Sequence, residues 1–150
     1  MSDLRAPYQV LIIVFRKTDK ALEYLLLKRA DLGVWQWVAG GGETGESPKE
    51  AAERELFEET GIRAQELISL DSETRIPVID VTGDFTWGHE VLVIPEHAFA
   101  YEVSCSTPVS LSDEHIALEW LNYDDAMRRL NWDSNRTALW EINERVNNGK

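Results

Sequence analysis

The sequence predicts a one-domain α+β sandwich, because strand-like stretches dominate it, one strongly marked helix interrupts them, and helical stretches close it. The apolar runs Tyr8 to Phe15 and Tyr24 to Lys28 read as two early strands, separated by the turn residues Lys17, Thr18, Asp19 and Lys20. A glycine-rich loop is expected at Gly40, Gly41, Gly42 and Gly45. The helix start follows at once: Ser47 is a capping residue, Pro48 suits the first helical position and Glu50 completes a capping box. Gly61 supplies the stop. Several strands are expected between Ile62 and Val103, with turns near Thr82, Gly83 and Asp84 and near Pro95. A strand from Ile116 to Leu121 then precedes two helical stretches, Tyr123 to Leu130 and Asn135 to Val146, the second amphipathic through Ala138, Leu139, Ile142 and Val146.

With 150 residues and 43% hydrophobic content, the chain suits a single core. Its longest apolar run, Val10 to Phe15, falls far short of the roughly 20 residues that span a bilayer. No secretory leader is expected from Met1 to Arg5, and Cys105 as the only cysteine excludes an intramolecular disulfide or a thiolate metal cluster. A cytoplasmic home is therefore expected. The net charge of -12 argues against a nucleic-acid polymer as partner, since polymer binding relies on Lys and Arg neutralising phosphates.

Chemistry concentrates on the helix that opens at Pro48. Glu55, Glu58 and Glu59 are three and four residues apart, so their carboxylates project within one sector. Ala52 and Leu56 occupy the adjoining sector and pack the helix on the sheet. Close carboxylates without sulfur or imidazole neighbours suit a hard, oxygen-seeking cation such as Mg²⁺ or Mn²⁺. A plain acidic helix face has the same local composition, but the surrounding spacing decides against it. Gly40, Glu46, Arg54, Glu55, Leu56, Glu58, Glu59, Gly61 and Ile62 fill nine specified positions within 23 residues and match every fixed position of the Nudix box.

The chain therefore resembles the Nudix (MutT-like) hydrolases. That resemblance implies a loop-helix-loop on an α/β/α sandwich with a mixed sheet, Glu55, Glu58 and Glu59 as ligands of Mg²⁺ (with Mn²⁺ as a substitute), and Glu46 and Arg54 bracing loop and helix around Gly40. It also implies a backbone-carbonyl metal ligand at Ala39, where many members have glycine. Flanking matches are similar to the small dATP and dihydroneopterin triphosphate pyrophosphatases: Leu26 to Arg29, Trp35 and Gln36, Glu114 and His115, Trp120 and Leu121, and Ser134 to Arg136. They imply a nucleoside or pterin triphosphate cut to monophosphate and pyrophosphate. An ADP-ribose or nucleotide-sugar pyrophosphatase is the alternative, marked by Pro77, and a nucleotide-binding domain without catalysis is the remoter one.

Relatives place a further glutamate on a loop well beyond the box, in contact with metal or activating water. Glu114 is the candidate here, with Glu96 and Glu90 in reserve, and His115 is expected to be structural. Lys28 and Arg29 follow an apolar strand and are candidates to meet phosphates; side chains alternate along a strand, so one of them faces the site, and Arg29 is the choice. Trp35, ahead of Trp37, either stacks on a flat base or belongs to the core.

Overall fold

The computed structural model describes residues 5–81 and 87–149, so the expected turn at Thr82 to Asp84 lies outside the described residues. β1 (Arg5–Lys17) is the axis of the molecule. Its Val10, Ile12 and Val14 pack with Ala51, Ala52 and Leu56, while Leu11, Ile13 and Phe15 pack with Ala138, Leu139 and Ile142. A strand covered on both faces has no polar side, so Val10 to Phe15 read as an unbroken apolar run.

β2 (Leu22–Arg29) pairs antiparallel with β1. β3 (Trp35–Gln36) and β7 (His115–Leu121) are both antiparallel to β2. β4 (Val38–Glu43) is antiparallel to β1, and β6 (Val93–Glu102) runs parallel to β1 with β5 (Ile68–Pro77) antiparallel beyond it. The result is a mixed seven-stranded sheet. Pro77, which ends β5, leads into a short 3₁₀ turn at Val78–Asp80.

Helix α1 (Pro48–Thr60) covers one face, and α2 (Tyr123–Arg129) and α3 (Asp133–Asn147) cover the other, which makes the expected α/β/α sandwich. The capping box forms as the sequence predicts, with Glu50 N donating to Ser47 Oγ at 3.1 Å and Ser47 N to Glu50 Oε1 at 2.9 Å. Gly61 closes α1 at φ 77°, its N–H donating to Phe57 O at 2.8 Å. No helix among the described residues is long and apolar enough to cross a membrane.

Two expectations are corrected. Pro95 marks no turn; it lies within β6, opposite Arg75 of β5. Gly40, Gly41 and Gly42 do not form a loop; they lie in β4, paired with β1, and only Gly45 (φ 89°) occupies a turn. The glycines serve close approach instead of turning: a Cβ on Gly40 would stand 2.1 Å from the Glu55 carboxyl carbon, and on Gly41 it would collide with the Arg5 guanidinium.

Candidate active site

Arg54 ties the strand to the helix. Its Nε donates to Glu46 Oε2 at 2.7 Å and its Nη2 to Glu46 Oε1 at 3.0 Å, a two-pronged contact that leaves donors for Gly41 O at 2.9 Å, Glu55 Oε1 at 2.9 Å and Glu58 Oε1 at 3.1 Å. Glu46 Oε1 also accepts from Glu43 N at 2.9 Å, and Tyr8 donates its hydroxyl proton to Glu46 O at 2.8 Å. The hydrogen bonds from Arg54 hold the Glu46 carboxyl below the ordinary carboxylate range. Glu46 and Arg54 thus fasten the end of β4 to α1.

The three helix carboxylates have different surroundings. Glu55 is buried against the bare backbone of Gly40, and burial pushes its carboxyl up to about 7 although Arg54 works to lower it. Glu58 points outward, exposed, with Arg54 beside it. Glu59 is 1% exposed, accepts the Ser112 hydroxyl proton and stands 3.5 Å from His115 Nδ1. Burial alone would raise its carboxyl, but the adjacent His115 imidazole and the Ser112 hydroxyl outweigh that and hold it low.

Glu114 enters from the loop before β7, anchored by Ala30 N donating to Glu114 O at 2.9 Å. Its carboxyl is raised, first by burial and then by the charge of the neighbouring Glu59. His115 follows as a buried residue whose imidazole flanks Glu59, the structural place the sequence suggests.

A cavity of about 390 Å³ joins Ala39, Gly40 and Glu55 to Glu114, Arg5 and Arg29. A second, of about 90 Å³, continues from it past the shared residues Gln9, Arg29, Gln36 and Ala39 to Glu96, Trp132 and Asn135. Of the paired candidates on β2, Arg29 lines both cavities, with Asp31 on its guanidinium, whereas Lys28 lines neither. Trp35 lines neither as well: it packs against the core and carries Arg129 5.2 Å above its ring. Trp37 is wholly buried, donating Nε1–H to Asn135 O at 2.9 Å. Glu96 lies in the second cavity, apart from the helix carboxylates, and Glu90 is exposed on a turn.

Arg5, Gln9 and Trp132 are not singled out by the sequence, and Gln36 enters there only as a flanking match. Gln9 falls inside the expected strand Tyr8 to Phe15, Arg5 lies before it although β1 begins there, and nothing local distinguishes either from an ordinary polar residue.

Glu55, Glu58, Glu59 and Glu114 suit a hard divalent cation in kind, and the missing Cβ of Gly40 leaves the Glu55 carboxylate against the backbone next to Ala39. Among the described residues no three His, Cys, Asp or Glu groups are already gathered at metal-binding spacing. Arg54 holds Glu55 and Glu58 instead, so a cation entering there competes with its guanidinium.

A strand-backed acidic helix beside an arginine-bearing cavity, on this mixed sheet, defines a class. The NUDIX domain family model matches residues 6–140, and the chain belongs to that family. A NUDIX hydrolase from Listeria monocytogenes superposes with TM-score 0.84 at 42% identity, covering 96% of this chain and 97% of the other. The dihydroneopterin triphosphate pyrophosphohydrolase of E. coli superposes with TM-score 0.76 at 25% identity over 95% and 99% of the two chains. The asymmetrical bis(5'-nucleosyl)-tetraphosphatase of Rattus norvegicus is 30% identical over 139 residues, 87% of this chain and 88% of the rat protein. Against the octanoyltransferase of Myxococcus xanthus the chain is 35% identical over 111 residues but spans only 28% of that protein's length.

Proposed function

We propose that the protein is a divalent-metal-dependent pyrophosphohydrolase that cuts a nucleoside or pterin triphosphate, such as dATP or dihydroneopterin triphosphate, to monophosphate and pyrophosphate. The observation that carries this reading is one cavity holding Glu55 and Glu114 together with Arg5 and Arg29, while Arg54 and Ser112 steady Glu58 and Glu59 beside it. The two arginines suit phosphate oxygens, and the carboxylates suit the counter-cation that such a substrate needs.

Glu55, Glu58, Glu59 and the Ala39 carbonyl are the groups that would hold Mg²⁺ or Mn²⁺. When bound there, the ion supplies charge neutralisation and polarises the phosphoryl group. Glu114 is the group that takes the proton of the attacking water as the P–O–P bond breaks and pyrophosphate leaves. It stands at the edge of the carboxylate cluster, close enough for the charge of Glu59 to raise its carboxyl. Arg54 and Glu46 act as positioning residues that fix the helix against β4. A small anionic substrate of this kind suits a cytoplasmic enzyme and calls for no membrane or nucleic-acid polymer.

The near full-length match to the rat tetraphosphatase supports a second reading, in which the phosphoanhydride belongs to a dinucleoside polyphosphate. A Mg²⁺ panel of dATP, other nucleoside triphosphates, dihydroneopterin triphosphate, a dinucleoside tetraphosphate and ADP-ribose, with products resolved by phosphorus NMR, tests both. A triphosphate is expected to be the best substrate by kcat/KM; dominance of ADP-ribose would overturn the reading.

A further inference from the structure

Glu96 is a buried carboxylic acid that the fold does not use. It sits on β6 in register with Gln9 on β1 and Thr74 on β5, is 8% exposed, and among the described residues takes part in no ion pair. Ser134, in the first turn of α3, lines the same cavity as Glu96, and the Glu96 Oε1 atom has no partner. A buried acceptor left unmet is destabilising, so a purely structural role would favour an apolar residue at this position.

The surroundings supply what the carboxyl lacks. It lines the cavity of about 90 Å³ that shares walls with the carboxylate site, together with Trp132, Gln36, Ile76 and Asn135, and also a separate cavity of about 170 Å³ with Thr74, Asp133 and Thr137. The indole is fixed in place, since Trp132 Nε1 donates to Gln36 Oε1 at 3.0 Å. A pinned aromatic ring and an unpartnered hydrogen-bonding group on the walls of one cavity are the combination that selects a flat heterocycle: the ring supplies stacking area, and the polar group reads the edge.

We propose that Glu96 is the specificity-determining residue for a heterocyclic base bearing an exocyclic amino group, seated against Trp132. This rests on the reading of the neighbouring cavity as the phosphate end of the substrate site. A carboxyl group accepts from such an amino group in either protonation state. Neutral, it also donates to a bare ring nitrogen beside the amino group, as in adenine and cytosine; ionised, it accepts from a ring N–H, as in guanine or a 2-aminopterin. Burial raises the Glu96 carboxyl, which favours the first pairing. Bases with only carbonyl groups on that edge leave the acceptor unmet.

The test compares matched substrates, each with Mg²⁺: dATP against the triphosphate of purine deoxyriboside and dGTP against dITP, which differ in the amino group alone, and dCTP against dUTP, in which a carbonyl and a ring N–H replace the amino group and the bare ring nitrogen. The wild type is expected to favour the amino-bearing member of at least one pair by about 10- to 100-fold in kcat/KM, the range one buried hydrogen bond supplies. Glu96→Leu brings that ratio to near one; Glu96→Met, close to glutamate in length, reads the same quantity if the leucine variant melts early. Glu96→Gln, with one donor and one acceptor, keeps the preference in the adenine and cytosine pairs. A wild type without preference, or a preference that survives both apolar substitutions, overturns the proposal. Calorimetric binding of dAMP against the monophosphate of purine deoxyriboside separates the two readings. If no phosphoanhydride is cut yet amino-dependent binding disappears in Glu96→Leu, the hydrolase reading fails and the base site stands.

Discussion

The Arg54 guanidinium grips Glu46 by two hydrogen bonds, 2.7 Å from Nε to Oε2 and 3.0 Å from Nη2 to Oε1, across the turn that joins β4 to α1. Charge-assisted bonds of this type contribute about 1.5 to 3 kcal/mol when partly shielded from water. Arg54→Ala is expected to lower stability by that order and to lower activity as well, since Glu55 and Glu58 lose the same guanidinium. A double-mutant cycle with Glu46→Ala, read by denaturant unfolding, should return a coupling above 1 kcal/mol or so. A coupling near zero would remove the brace from the account.

Gly40→Ala separates fold from site. The added Cβ would meet the far end of the flexible Glu55 side chain at 2.1 Å, and Gly40 is not among the glycines with positive φ. The backbone accepts alanine, while the Glu55 carboxylate must move. A displacement of about 1 Å at a reacting site can cost on the order of 10²-fold in rate, so kcat should fall by that order with the melting temperature little changed. Wild-type turnover in this variant would show that the position of Glu55 is irrelevant.

The Glu55 carboxyl, at about 7 in the fold against 4.5 when unperturbed, gives a pH dependence of definite sign. Between those values the folded state holds the proton and the unfolded state does not, so metal-free stability is favoured at acid pH and falls as pH rises through 7. The full effect is at most roughly 3 kcal/mol. Glu46 and Glu59, both held low, act in the opposite direction at lower pH, so the informative quantity is the difference between wild type and Glu55→Gln. Glu55→Gln should grow more stable relative to wild type between pH 5 and 8, and Mg²⁺ should erase much of that advantage. A pH-independent difference would contradict the assignment.

Glu114→Gln addresses water activation. A general base contributes about 10²- to 10⁴-fold in rate, and kcat should drop within that range with little change in the Mg²⁺ concentration for half-activity. A large shift in the metal requirement would make Glu114 a ligand, in keeping with its place beside Glu59. An unchanged rate would make it a surface residue.

The elements legible in the sequence are those whose causes are local. Ser47, Pro48, Glu50 and Gly61 bound α1 through contacts within a few residues, and the structure forms each of them. The glycines of β4 misled because glycine marks a turn in sequence, whereas here it admits the side chains of Glu55, Arg5 and Tyr8 arriving from α1 and β1. The second cavity was illegible for a related reason: Trp132 and Gln36, hydrogen-bonded to each other, lie 96 residues apart, and only the sheet brings them to Glu96. Trp35 and Trp132 show how weak composition is as a guide, since the tryptophan nearer the box packs against Arg129 and the distant one lines the cavity.

The central claim is that the α1 carboxylates carry a divalent cation for phosphoanhydride cleavage, and phosphorus NMR of triphosphate turnover by wild type and Glu59→Gln tests it most directly. Wild type should release pyrophosphate and monophosphate with Mg²⁺ and stop in excess EDTA, while Glu59→Gln stays folded and loses most of the rate, because an amide oxygen ligates Mg²⁺ weakly. Full turnover in EDTA, or a wild-type rate from Glu59→Gln at saturating Mg²⁺, would contradict it.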